Sequence, residues 1–438
     1  MCIVHAVCVN FVTKKNIQQE GRKGTFNLSV FVFNIIKEMS YPTSPVYDWL
    51  DIPTKHKRSV YFDHEKFHIV LTDQPALPDT FRRHTCPSVE ATAFAINTMI
   101  VRGAPAIGVT GAYGMVLAAS ESSSMADLLK HKATLDAARP TAVNLTWATS
   151  RMLDFVSNIL ATSKTSKTSK TSKTSKTTPT IKSLVPILLD QAEQLADEDI
   201  AINLRMAKVG STIVPTFQHR ATNISHRCNT GALAATDWGT ALGVIHYCHK
   251  ILHRNIHVWV DETRPRLQGA RLSAWELTKA NIPMHLISDG VAGGLMRKGQ
   301  IDVVLFGADR VAKNGDVVNK IGTFPLAVMA HTHGIPVYAV VPTSTIDLTC
   351  ITGDDVEIEE RNSNEVIGLS FFNQGSIAPT NVQVYNPAFD NTPYKYLTGI
   401  ITEEGLCYPP FTESLLEAKN KAEERIQSKN GKFIRSRN

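Results

Sequence analysis

Apolar residues change their spacing twice along the 438-residue chain. Between residues 44 and 160 a short strand-like run, Phe67–Leu71, gives way to stretches of helical spacing, Val89–Val101 and Gly111–Ala119. Leu188, Ala192, Leu195 and Ile200 then mark one helical face within Leu184–Val214, which predicts long helices joining two halves. From about Ile224 the rhythm shortens. The β-branched runs Ile256–Val260, Met284–Ser288, Ile301–Phe306 and Pro336–Val341 alternate with helical segments such as Ala270–Ala280 and Pro325–His331. This is the βαβα pattern of a parallel sheet with helices on both faces. Ligands of such sheets bind beyond the carboxyl ends of the strands, so the residues after each run are the ones to inspect.

The expected fold class is therefore α/β, a small N-terminal α/β domain followed by a Rossmann-like parallel-sheet domain without a dinucleotide fingerprint. Thr162–Lys176 consists of five tandem Thr-Ser-Lys units with no apolar side chain, which predicts a solvated, disordered loop. The first 38 residues lack the charged start and small-residue cleavage site of a secretory signal, and Met39 is a candidate start of the ordered protein. The expected division is a disordered extension at 1–43 and an N-terminal domain at 44–195 with an insert at 162–178. A Rossmann-like catalytic domain follows at 196–418, then a charged tail at 419–438.

Composition adds exclusions. No apolar run approaches the ~18 residues of a membrane-spanning helix, and seven scattered cysteines without a Cys-x-x-Cys read as reduced thiols. A net charge of +6 could point to nucleic acid. Residues 1–38 carry +3, residues 162–176 carry +5 and residues 415–438 carry +4, which leaves the remainder at −6. The basicity is peripheral. No nucleic-acid or membrane partner is expected.

Candidate chemistry clusters at the strand ends. Cys228 follows the first run and precedes a turn and an expected helix, whose positive pole would lower a thiol pKa, although an inert buried thiol is the plainer reading. The loop Asp261–Arg271 is densely polar, suited to fixing hydroxyls or simply to capping a helix. Asp309, in Gly307–Arg310, is an acid/base candidate at the mouth of the sheet. Asn319-Lys320 ahead of Gly322 leads toward a helix N-terminus that suits an anion. In Arg102–Gly108 an arginine and small residues let a phosphate approach backbone N–H groups. Neither Gly-x-Gly-x-x-Gly nor a Walker A motif is present, so dinucleotide or ATP chemistry is not expected. The fifteen histidines show no metal-ligand spacing, His331-x-His333 being the nearest case, and no metal or cofactor is expected.

Taken in order, these segments resemble the methylthioribose-1-phosphate isomerase family of methionine salvage. Ribose-1,5-bisphosphate isomerase and the regulatory subunits of the translation-initiation guanine nucleotide exchange factor share that family. The resemblance runs from roughly Tyr47 to Pro410 and rests on R-G-A-P-A-I-G (Arg102–Gly108), N-L-T-W-A with Arg151 behind it, C-N-T-G-A-L-A (Cys228–Ala234), E-T-R-P-R-L-Q-G-A-R-L (Glu262–Leu272), G-A-D-R (Gly307–Arg310), N-K-I-G-T (Asn319–Thr323), I-E-E-R (Ile358–Arg361) and N-P-A-F-D-N-T-P (Asn386–Pro393).

The resemblance implies Cys228 and Asp309 as a catalytic pair and substrate contacts at Arg102, Gly103, Ala104, Arg151, Gln268, Asn319 and Lys320. It also implies a sugar phosphate substrate, a homodimer, and a cytoplasmic location with the nucleus as a second. Arg227 stands where the family often has histidine, which would alter the charge beside the thiol. In the reaction this implies, phosphate on the anomeric oxygen blocks the aldehyde form. Asp309 would then protonate the ring oxygen as a general acid. Hydrogen would leave C2 either as a proton taken by a Cys228 thiolate or as a hydride passing directly to C1.

Overall fold

The computed structural model describes residues 42–140, 142–165, 179–369, 377–379 and 381–435. The expected extension up to residue 41, and all but the first four residues of the Thr-Ser-Lys insert, lie outside them. Three short strands, β1 (Val60–Asp63), β2 (His68–Thr72) and β3 (Arg83–Cys86), pair antiparallel in that order. Five helices follow: α1 (Val89–Asn97), α2 (Ala104–Glu121), α3 (Met125–Ala137), α4 (Val143–Thr165) and α5 (Val185–Gly210). Their starts are written locally. Ser88 caps α1 by accepting from Ala91 N, and Ser124 forms a capping box with Asp127 on α3.

Helix α2 is the axis of this part, buried without a break from Ala106 to Ala119 and packed against α4 and α5. Its small residues allow close approach. A methyl group at Gly111 would sit 2.6 Å from Leu145 Cδ1 on α4. Helix α4 carries the chain through the first Thr-Ser-Lys unit to Thr165, so these four positions are helical where a loop was expected. Helix α5 runs unbroken through residues 195 and 196, where sequence reading set a domain boundary.

The seven-stranded sheet that follows is built of β4 (Thr222–His226), β5 (Ile256–Asp261), β6 (Met284–Ile287), β7 (Val303–Phe306), β10 (Val337–Val340), β13 (Gly399–Thr402) and β14 (Gly405–Cys407). Its order is β14-β13-β10-β7-β4-β5-β6, parallel except for the edge strand β14. Strands β7 and β10 are buried at every position, as a sheet covered on both faces requires. The chain winds outward through β5 and β6, then returns to lay β7 on the other side of β4. That reversal opens a crevice beyond the carboxyl ends of β4 and β7.

A second sheet of order β11-β8-β9-β12 stands beside the crevice, formed by β8 (Arg310–Ala312), β9 (Val317–Lys320), β11 (Ile346–Asp347) and β12 (Phe389–Thr392). The remaining helices are α6 (Ala241–Lys250), α7 (Ala274–Lys279), α8 (Ala292–Arg297), α9 (Thr323–Thr332), α10 (Asn364–Ile367) and α11 (Phe411–Arg435). The expected charged tail is the outer part of α11. This amphipathic helix buries Leu415, Ala418 and Ala422, and its Lys419 donates to the carbonyls of Thr343 and Ile346.

Candidate active site

A cavity of about 130 Å³ occupies the crevice. Cys228 lies just past β4 and Asp309 just past β7, so the two flank the reversal of the sheet. Arg102, Gly103, Ala104 and Gln268 also line the cavity, as do Asn319 and Lys320. Arg151 is placed elsewhere. Its guanidinium pairs with Glu198 at 2.9 Å and stacks over the Trp147 ring, in a separate cavity on the outer side of α2.

The Arg102-Gly103-Ala104 segment opens α2, with Gly103 as the cap residue and Pro105 in the first turn. An 18-residue helix aims its free N–H groups and positive pole into the cavity, an arrangement that binds anions. Gly103 has φ +98, and a Cβ there would meet Ala234 O at 2.1 Å. Only glycine lets the two loops touch. Arg102 keeps a buried Nε without a hydrogen-bond partner, and burial with the nearby Arg266 and Arg271 lowers its pKa to about 9. An incoming anion would relieve both.

Two expectations about helix poles fail here. No helix starts at Cys228. The chain turns, Gly231 bridges to Gly239, and α6 begins only at Ala241. Without a pole to stabilise the thiolate, burial raises the Cys228 pKa, Lys320 opposes that rise, and Asp309 adds to it. The N-terminus of α9, beyond Asn319-Lys320, is also taken. The Asp390 carboxylate accepts from Gly322 N at 2.6 Å and Phe324 N at 3.1 Å. Asn319 donates to Thr323 Oγ1 at 2.9 Å, and Lys320 Nζ donates to Ala388 O at 2.9 Å over the Phe389 ring.

Asp309 is open to the cavity yet deep in the molecule. That depth raises its carboxyl pKa, while Lys320 and Arg139 hold it down. Burial conversely lowers the Lys320 pKa, against the pull of Cys228 and Asp309. Lys320 thus lowers the pKa of both thiol and carboxyl, and each of them raises that of the amine. Arg227 acts on the thiol only weakly, its charge being the least of the influences that lower the Cys228 pKa. Its guanidinium turns away to Asp261 at 3.1 Å, Asp289 at 3.0 Å and the Ile321 carbonyl.

Sequence reasoning gave no role to Arg139, Arg266, Arg361, Glu365 and Met99, which also line the cavity. Arg266 and Arg361 stand inside motifs already quoted, and both bind Glu365, at 2.7 and 2.9 Å. Arg139 follows α3 with no spacing signal to mark it. Among the described residues one grouping has metal-ligand spacing, Glu90, Glu121 and His131, with ligand atoms within 4.8 Å of one another. None of the three lines the cavity.

Comparison with known proteins now gives the lineage. A model of the Initiation factor 2 subunit family matches residues 100–409. Methylthioribose-1-phosphate isomerase 2 of Pseudothermotoga lettingae is 45% identical over 364 residues, covering 82% of this chain and 97% of its own. Methylthioribose-1-phosphate isomerase of Caldanaerobacter subterraneus subsp. tengcongensis is 44% identical, covering 80% of this chain and 96% of its own.

Two crystal structures share the fold under different names. 5-Methylthioribose 1-phosphate isomerase from Pyrococcus horikoshii OT3 superposes with a TM-score of 0.72 at 38% identity, covering 86% of this chain and 98% of that one. Translation initiation factor eIF-2B, subunit delta, from A. fulgidus superposes with 0.68 at 37% identity, covering 83% and 99%. Fold likeness does not separate the two names, and the sequence relatives do. The chain belongs to the initiation factor 2 subunit family, among its methylthioribose-1-phosphate isomerases.

Proposed function

We propose that this chain converts 5-methylthioribose 1-phosphate to its ketose, 5-methylthioribulose 1-phosphate, in methionine salvage. The observation that carries the reading is one cavity at the sheet reversal that holds Cys228, Asp309 and Lys320 against the open N-terminus of α2. A regulatory scaffold needs no such convergence.

Charge counting favours one phosphate over two. Arg102, Arg139 and Lys320 have no acidic partner within 4 Å among the described residues; Lys320 donates to the Ala388 carbonyl, and the two arginines suit one phosphate dianion. Arg266 and Arg361 are already paired with Glu359 and Glu365, so ribose 1,5-bisphosphate would find no second free pair.

In this reading Arg102 and the first amides of α2 hold the phosphate. Asp309, whose carboxyl pKa is raised by desolvation in the cavity, is the acid that gives its proton to the ring oxygen as the bond from C1 to that oxygen breaks. A raised thiol pKa makes Cys228 a poor proton acceptor, which favours the hydride route. The hydrogen on C2 passes with its electron pair to C1, and the C2 hydroxyl becomes a carbonyl. Its proton returns to the Asp309 carboxylate, so the acid is restored. Gln268 Oε1, buried without a partner, is placed to accept from a sugar hydroxyl.

The test is conversion of methylthioribose 1-phosphate by the purified, reduced protein, with ketose detected directly. Absence of product would favour the scaffold. C2-deuterated substrate in light water separates the routes: retained label supports hydride transfer and washed-out label overturns it.

We also infer a homodimer. Leu286, Val291, Phe324 and Met329 stay exposed on the edge strand β6 and around the helices α8 and α9, an apolar surface suited to a second copy. Light scattering on the eluted protein measures it. The five cysteines of the described residues are free and fit a reducing compartment such as the cytoplasm. No described helix is long and apolar enough to cross a membrane.

A further inference from the structure

We propose that Glu276 is a positioning residue that sets the loop carrying Cys228 and, through it, the spacing between the thiol and the phosphate-binding end of α2. The proposal rests on the isomerase reading and adds a residue outside the cavity to its machinery.

Glu276, on α7, is fully buried, with no ion pair to lysine or arginine among the described residues. Its carboxylate is satisfied by the Cys228 loop instead. Oε1 accepts from Asn229 Nδ2 at 2.7 Å and Leu233 N at 3.3 Å, and Oε2 accepts from Ala232 N at 2.7 Å. Gly231 makes room for it, since a Cβ there would lie 2.2 Å from Oε2.

What this carboxylate holds is a strained segment. Cys228 has φ +66, the left-handed region that a non-glycine residue keeps only when its surroundings impose it. Cys228 N donates to Thr263 Oγ1 at 2.9 Å, and Cys228 O accepts from Ser273 Oγ at 2.6 Å. Asn229 Nδ2 reaches Ser273 Oγ at 3.2 Å as well as Glu276. Ser273 closes a π-helical turn, Gly269–Ser273, that runs into α7 directly after Gln268. One helical stretch therefore supplies the cavity residue Gln268 and both anchors of the thiol loop, and π turns concentrate at functional sites.

The same loop reaches the phosphate end. Gln74 Nε2 donates to Leu233 O at 2.7 Å and to Arg102 O at 3.2 Å, and Ala234 lies against Gly103. A shift of the Ala232 and Leu233 amides would alter the distance from the thiol to the phosphate.

Glu276→Gln keeps the volume but turns an N–H pair toward groups that are themselves donors. The experiment compares wild type, Glu276→Gln and Glu276→Asp in the full chain. It measures kcat, KM, the affinity for inorganic phosphate, and the rate of iodoacetamide alkylation of Cys228 read from its peptide by mass spectrometry. A misplaced reacting group costs about 10²-fold, so Glu276→Gln should lose kcat on that order while phosphate affinity holds within about 3-fold. Cys228 alkylation should change about tenfold in rate, since exposure and thiolate fraction both govern it. Glu276→Asp keeps the charge and should recover part of the kcat. It also carries the same readouts if the glutamine variant does not fold. Unchanged kcat and alkylation in a folded variant, with only a lower Tm, would overturn the proposal. If the wild type does not turn over the sugar phosphate, the isomerase reading falls by itself, and the alkylation comparison still decides whether Glu276 positions the thiol.

Discussion

Asp309 and Cys228 sit in the same cavity beside the same lysine, and burial raises the pKa of both. A carboxyl that must be protonated to act loses activity as pH rises through its raised pKa. Turnover should therefore fall on the alkaline side, and Asp309→Asn should lose about 10²–10⁴-fold in kcat while phosphate binding survives. Near-normal turnover in that variant would remove Asp309 from the chemistry. The thiol makes a separate prediction. Alkylation of Cys228 should be slow at neutral pH and rise steeply only above the ordinary thiol range. Rapid labelling at pH 7 would restore the thiolate, and with it the proton route. Both residues were legible as single letters at strand ends. Their charge states were not, because these depend first on burial and then on neighbours the fold supplies, Lys320 for both and Arg139 for Asp309.

Among the elements, α2 and α9 show how far a helix start can be read from sequence. Both follow a glycine and both looked fit for an anion. Only α2 is open, because Asp390 of β12, 68 positions after Gly322 in the chain, fills the other. Sequence marks a pole, and tertiary pairing decides whether it is free. Gly103→Ala should cost more than about 1 kcal/mol in stability, since a positive φ and a collision with Ala234 coincide. It should also weaken inorganic phosphate binding, read by calorimetry. Unchanged binding would show that the contact between the two loops is dispensable. The short strands β8, β9, β11 and β12 were missed altogether. They are two to four residues long, too brief for a period-2 pattern to register, yet β9 carries Asn319 and Lys320.

For the whole molecule, the alternation of strands and helices after Ile224 made the parallel sheet legible and the charged end read as helix-compatible, while the small sheet and the inward pairings of α11 had to be seen. The tail charges are the clearest revision. Arg425 binds Glu404 at 2.6 Å and Glu403 at 3.3 Å, and Glu403 also receives Thr343 N and Oγ1 beside the cavity residue Pro342. Arg425 and Lys419 are internal fasteners, while Lys421 pairs with Glu417 on the surface. Arg425→Ala should destabilise the fold by about 1.5–3 kcal/mol in urea titration, the range for hydrogen bonds to charged groups. A loss below about 0.5 kcal/mol would return α11 to the status of a loose charged tail.

The reversal of the sheet also has a consequence for how the protein is made. While the chain grows, β4, β5 and β6 can pair in the order in which they emerge, and β4 then stands as an open edge with its Cys228 loop uncovered. Only when β7 arrives does that edge close and Asp309 meet the thiol. A nascent chain that has emerged past residue 287 but not as far as residue 303 would thus expose both an unpaired strand edge and an oxidisable thiol. Slow translation across that interval should therefore raise both aggregation and oxidation of Cys228.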